Sequence, residues 1–228
     1  MNGTGPGAGT RPATDYSPAE HAGRRAAYLD AATDLLVADL EEMAANWRDG
    51  GAARSALGET GIATILTGMG SLSFGELAGE RMKLGLLLHD PEEEQDCFSD
   101  NTHISHLYDA VGIHNVYLGR YVRIDGSLVE GPSLSALIAA RDPGLDAELR
   151  ALLADTVARM EAMKARAESI EAYDQMIAEG NAEGNAVVQA AIDALIAQTR
   201  GIERAVALLE GVSIEQSDSL TSPDAVFQ

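Results

Sequence analysis

Apolar residues recur at steps of three and four along most of this chain. Between Glu20 and Trp47 the positions Tyr28, Ala32, Leu36, Leu40, Met43 and Trp47 share one face, which predicts an amphipathic helix stopped at Gly50 and Gly51. Ile62, Ile65, Met69, Leu72 and Leu87 predict a second long helical stretch, weakened by Gly68, Gly70, Gly75, Gly79 and Gly85, with a break expected near Ser71. Ser99 or Asp100 is placed to cap a third helix reaching about Arg120, after which Gly126 and Gly131-Pro132 punctuate a connection. Leu145, Leu149, Leu152, Val157, Met160 and Met163 give a fourth, continuing in some form to Ile177. A last helix runs from Asn185 to Leu209. The expected architecture is all-α, an antiparallel helical bundle or bundles. Residues 1–19 read as a loop or linker rich in Gly, Pro and Thr, residues 20–212 as the helical domain, and residues 213–228 as a tail.

Composition agrees, because few aromatic residues and abundant Ala, Leu and Glu favour helices over strands. Against 16 Lys and Arg stand 36 Asp and Glu, a net charge of −20 that would repel a phosphate backbone. Nucleic acid is therefore disfavoured as a partner and cations become the plausible charged ones, while a solvated acidic surface that only keeps the chain soluble accounts for the same charge. Cys97 is the single cysteine, so neither an intrachain disulfide nor a cysteine-rich zinc site can form. No run of about 18 apolar residues could span a bilayer, and the first twenty residues lack the pattern of a signal peptide.

Candidate chemistry lies where polar groups occupy positions the helical pattern wants apolar. On a wheel of about 100° per residue, Glu76 and Glu80 fall with Ile62, Ile65, Met69 and Leu87, which predicts two carboxylates pointing into the bundle. Arg81, Lys83 or Arg120 could neutralise them; the other reading is a bound cation or polar ligand. In the third helix Asp100, His103 and His114 share an arc with Ile104, Leu107, Val111 and Leu118, and His106 sits at its margin. Asp100 and His103 are one turn apart, so a carboxylate and an imidazole could approach one ion. Helix capping by Ser99 and Asp100 is the plainer account.

Several stronger signatures are missing: the helical His-Glu-x-x-His of zinc peptidases, the Glu-x-x-His of di-iron bundles, phosphate loops, dinucleotide fingerprints and nucleophile elbows. His89 and Glu92 have a suggestive spacing, but Pro91 disfavours the helix that would align them. No catalytic residue is assigned from the sequence.

The segments LTGMGSLSFGELAGERM, DPEEEQDCFSDNTH and GIHNVYLGRY resemble the imelysin family (peptidase family M75, iron-regulated imelysin-like proteins). GPGAGTRPATDY, GPSLSALI and EAYDQMIAEGNAEGN extend the likeness over nearly the whole chain. The resemblance implies an all-helical fold of two bundle-like halves, bacterial envelope localisation, a link to iron uptake, and peptidase activity claimed for some members. The family hallmark, Gly-x-His-x-x-Glu, is not in this sequence. Gly112 and His114 imitate its start, but Tyr117 stands where Glu is required. Met1 is expected to fall just after the hallmark, making the chain a C-terminal portion of a longer form whose export signal lies upstream.

The family's pocket lies between its halves. The resemblance therefore implies that Glu76, Glu80 and Ser99 contact a polar ligand and that Asp100 and His103 hold a metal, iron or another divalent ion, weakly. The expected function is non-catalytic metal binding in bacterial iron uptake, with other envelope proteins of that process as partners. The alternatives are an M75-type metallopeptidase using Glu80 or Glu76 as general base, or a structural helical module.

Overall fold

The computed structural model describes residues 15–58 and 61–209. The linker expected over residues 1–19 lies outside the described residues as far as residue 14, and the tail expected over 213–228 lies wholly outside them. The chain divides into two compact units, with the described residues of one inside Thr10–Thr64 and those of the other inside Ile65–Gln228.

In the first unit, α1 (Ala22–Asn46) is the helix expected from the period of its apolar residues, followed by a short α2 (Ala52–Leu57). Arg25 ties the preceding turn to α1, donating to the Asp15 and Glu20 carbonyls.

The second unit is helical apart from a hairpin of two three-residue strands. α3 (Gly61–Ser71) runs directly into a π-helical segment, Leu72–Lys83, and then α4 (Leu84–Leu88). The expected break near Ser71 is thus a widening of the helix. Ser73, at its start, is buried and accepts hydrogen bonds from Gln198 Nε2 (2.8 Å) and Thr199 Oγ1 (2.9 Å) while donating to the Leu195 carbonyl (3.2 Å). A polar residue in this wall is stable because its hydroxyl is fully engaged.

α5 (Thr102–Leu118) ends at Gly119, whose positive φ of 61° suits glycine and whose absent side chain leaves room for the Pro132 carbonyl. The connection beyond holds β1 (Arg120–Val122) paired antiparallel with β2 (Leu128–Glu130), Tyr121 opposite Val129. α6 (Leu134–Ala139) is capped by Ser133, and α7 (Pro143–Ser169) by Asp142 with Pro143 in its first turn. α7 stops at Ser169; the expected continuation to Ile177 is a separate short helix, α8 (Tyr173–Ile177).

The AEGNAEGN repeat at residues 178–185 is a clasp between α8 and α9 (Ala182–Leu208). Asn181 accepts from Gly184 N–H and donates to the Gln175 carbonyl, and Asn185 donates to the Met176 carbonyl. Gly184 is required there, since a Cβ would sit 2.6 Å from the Met176 Cα.

α7 lies along α9 and α5. One cluster gathers Leu77, Met82, Leu107, Met160, Met163, Met176 and Leu195, and the other Leu66, Ile113, Tyr117, Ile138, Leu149 and Ile202. Each such side chain contributes about 1.5–3 kcal/mol by leaving water. Asp146 links the second cluster's polar groups, accepting from Tyr117 Oη (2.9 Å) and Ser135 Oγ (2.6 Å).

Candidate functional site

The π segment decides where the first pair of carboxylates points. Glu76 and Glu80 face solvent, against the inward orientation expected of them. Ile62 and Leu87, which set the phase of that projection, are themselves 40% and 56% exposed. A uniform wheel of about 100° per residue puts Met82 and Leu86 on the far side from Leu66 and Leu77, yet all four are buried. Bonds from i to i+5 turn the chain less per residue, and the buried face moves with it. Of the expected neutralising residues, Arg81 pairs with Glu76 (3.1 Å) and also holds Asp109 of α5 (2.8 Å), clamping the two helices.

Glu76 and Glu80 nonetheless share a cleft of about 610 Å³ with Arg81, Glu92, Glu93 and Glu94. Glu92 and Glu93 are exposed, but Glu94 is only 4% exposed. Pro91–Glu93 forms one 3-10 turn begun by Asp90, whose carboxylate accepts from Glu92 N–H, and the chain leaves it extended at Glu94. That change of direction sends one glutamate of three inward.

Beyond Glu94 the loop folds on itself. Thr102 Oγ1 accepts from Asp96 N–H (2.9 Å) and donates to Glu94 Oε2 (3.3 Å), and Ser105 Oγ donates to the Asp96 carboxylate. Ser99 and Asp100 do not cap α5. Asn101 occupies the N-cap without a side-chain bond, Ser99 Oγ donates to the Asp96 carbonyl (3.3 Å), and Asp100 takes the left-handed region at φ 53°. The two amides at residues 99 and 100 close a turn on the Asp96 carbonyl, which starts the helix later than the side-chain pattern suggests.

Asp100 and His103 are brought together, close enough for each to alter the other's ionisation. Burial, with Asp174 beside it, holds the Asp100 carboxyl above its usual range despite His103. Burial lowers the His103 pKa, which keeps the imidazole neutral, and its Nδ1 is buried without a hydrogen-bond partner among the described residues. Glu94 is pushed further: burial, then Asp174 and Asp100, raise it from 4.5 to about 8.

The buried face of α5 also differs from expectation. It carries Thr102, His106, Ala110, Ile113 and Tyr117 together with the expected Leu107, so His106 is fully buried while His103 and His114 are half-buried on the flanks. Apolar residues occur on nearly every side of this helix, and its periodicity cannot say which side wins. His106 stands edge-on to Tyr173 of α8, ring centroids 5.4 Å apart, and burial lowers its pKa to about 3. Neither His106 nitrogen, nor Tyr173 Oη, nor Glu94 Oε1 has a hydrogen-bond partner among the described residues. Buried polar atoms without partners are uncommon and concentrate where a protein does something besides fold. Sequence reasoning missed Glu94 and Tyr173 and put His106 only at the margin of the buried arc; for Glu94 the available signal was the crowding of carboxylates in HDPEEEQD. The suspect pair is also separated: His89 Nδ1 lies 2.7 Å from the Ile177 carbonyl, and Glu92 is exposed.

The metal fit is partial. Asp100 and His103 offer one carboxylate and one neutral imidazole, but no three His, Cys, Asp or Glu among the described residues are arranged to hold a metal ion.

Fold and cluster together define a class: a helical-bundle protein with an acidic cleft lined in part by the buried Glu94, and a half-buried carboxylate and imidazole at the start of α5. A family model, Imelysin (peptidase M75), matches residues 3–202, and the chain belongs to that family. No curated protein matches it. Among the described residues no helix is long and apolar enough to cross a membrane.

Proposed function

We propose that this imelysin-family chain is a non-catalytic cation-binding protein of the bacterial cell envelope. It takes iron or another divalent metal ion as cargo for uptake and works beside other envelope proteins of that process. Asp100 and His103 are the metal contacts, and Glu76, Glu80 and Ser99 serve the polar surroundings of the ligand. One observation carries the reading: a half-buried carboxylate just before α5 and a half-buried neutral imidazole in its first turn stand near Glu94 and Asp174. Neutral imidazole is the form that binds metal, and the acidic residues around it favour cations. The chain's net charge of −20 acts in the same direction.

With two protein ligands, binding is expected to be weak and readily reversible. Calorimetric titration with ferrous, ferric and zinc ions, beside Asp100→Ala and His103→Ala, is the test. Heat from the wild type that is lost in both variants supports the assignment. Equal heats in all three proteins, or none in any, remove it.

A further inference from the structure

Against the chain's overall charge, the second unit gathers cations at one groove. It has a volume of about 500 Å³ and runs between the end of α5, with the first residue of β1, and the first half of α7. His114, Arg120 and Arg150 supply its polar groups, Leu118, Ala151 and Ala154 line it with hydrocarbon, and no carboxylate borders it. Burial lowers the His114 pKa, and Arg120 and Arg150 push it the same way, so both guanidinium groups stand near the one imidazole. Neighbouring acids are engaged elsewhere. Glu148 holds Arg204 (2.5 Å), and Asp146 is buried, accepting from Tyr117 and Ser135, with its other oxygen 4.0 Å from Arg150. Glu130, opposite Arg120 in the hairpin, borders a different cleft and is not in ion-pair contact with it. Like charges gathered without a counter-charge raise one another's energy, and an anion placed among them lowers it.

We infer that this groove binds a small organic carboxylate, its head group held by Arg120, Arg150 and the His114 N–H and its short hydrocarbon body laid along Leu118, Ala151 and Ala154. The planar guanidinium fork matches the two oxygens of a carboxylate. A neutral imidazole adds a hydrogen-bond donor without a third positive charge. The hydrocarbon lining is what separates such a ligand from a bare inorganic anion. Because a net charge of −20 repels anions in general, binding depends on these two arginines, and the loss of either is felt. Asp100 and His103 lie at the other end of α5, so the groove stands or falls independently of the cation site.

Titrating hexanoate into the nitrogen-15-labelled full chain at fixed pH and ionic strength, and following the amide chemical shifts, tests the assignment. Saturable shifts should be centred on residues 114–120 and 147–154, with hexanol and inorganic phosphate each binding at least ~10-fold more weakly. Arg120→Gln and Arg150→Gln should each weaken hexanoate roughly tenfold, since one charge-assisted contact is lost. Both arginines are exposed, and each variant's own amide spectrum reports whether its fold is intact. Arg159→Gln removes the same charge further along α7, where that arginine pairs with Asp155, and should leave binding unchanged. Shifts that never saturate, or that saturate equally in the Arg120 and Arg150 variants, overturn the inference. Phosphate binding as tightly as hexanoate overturns the carboxylate class, and hexanol doing so removes the role of the arginines.

Discussion

Replacing Glu94 with glutamine should change how stability depends on pH more than it changes stability at any one pH. In the folded chain Glu94 titrates at about 8, raised from 4.5 chiefly by burial and then by Asp174 and Asp100. Between those two values the folded state holds a proton that the unfolded state has released. Unfolding then releases a proton, so stability falls as pH rises. The contribution is complete below pH 4.5 and is lost as pH climbs through 8. One unit is worth about 1.4 kcal/mol, so the loss is roughly 3 kcal/mol by pH 7 and approaches about 5 kcal/mol above pH 8. Glutamine has nearly the same shape, stays neutral throughout and can still accept from Thr102 Oγ1. The difference in unfolding free energy between Glu94→Gln and wild type should therefore move in the variant's favour by about 3 kcal/mol from pH 4.5 to 7. Urea unfolding followed by far-ultraviolet circular dichroism, repeated across that range, measures it, and other titrating groups largely cancel in the difference. A difference that stays flat with pH, or that turns against the variant as pH rises, would show that Glu94 is ionised in the fold and refute the argument.

Three other outcomes follow from the same geometry. Asp146→Ala leaves the buried Tyr117 and Ser135 hydroxyls without their acceptor and should cost about 2–5 kcal/mol, read as a lowered Tm, whereas the exposed Glu80→Gln should stay near wild type. Gly184→Ala should destabilise by roughly 1–3 kcal/mol in thermal melts even though alanine is the better helix former, because its Cβ meets the Met176 backbone at 2.6 Å. Cation binding should weaken on acidification as Asp100, held above the usual carboxylate range, takes up a proton; calorimetry at pH 7 and pH 5 should show the loss, and unchanged affinity would exclude Asp100 as a ligand.

Helix existence was legible because it follows from local spacing. The stretches predicted from Tyr28 to Trp47, from Leu145 to Met163 and from Asn185 to Leu209 are α1, α7 and α9, though α7 stops at Ser169 where the period alone did not end it. Asp100 and His103 lie near each other as the short spacing suggests, but through the turn before α5 and not along one helix face, since Asp100 sits outside the helix at φ 53°. The loop 91–101 was less legible, since its turn closes on the Asp96 carbonyl and not on the side chains of Ser99 or Asp100.

Sequence alone determined the helical class, the acidic balance of charge, and the absence of the hallmark motif, because each depends on residue type and short-range order. Tertiary structure decided which face each helix buries. The π turns from Leu72 to Lys83 exist where Ser73 docks on α9, and they carry Glu76 and Glu80 outward. His106 is buried because α8 sets Tyr173 against it, and the Glu94 carboxyl is pushed up first by its burial and then by Asp174, eighty residues on in the chain. Such contacts join segments far apart in the chain, and no local period records them.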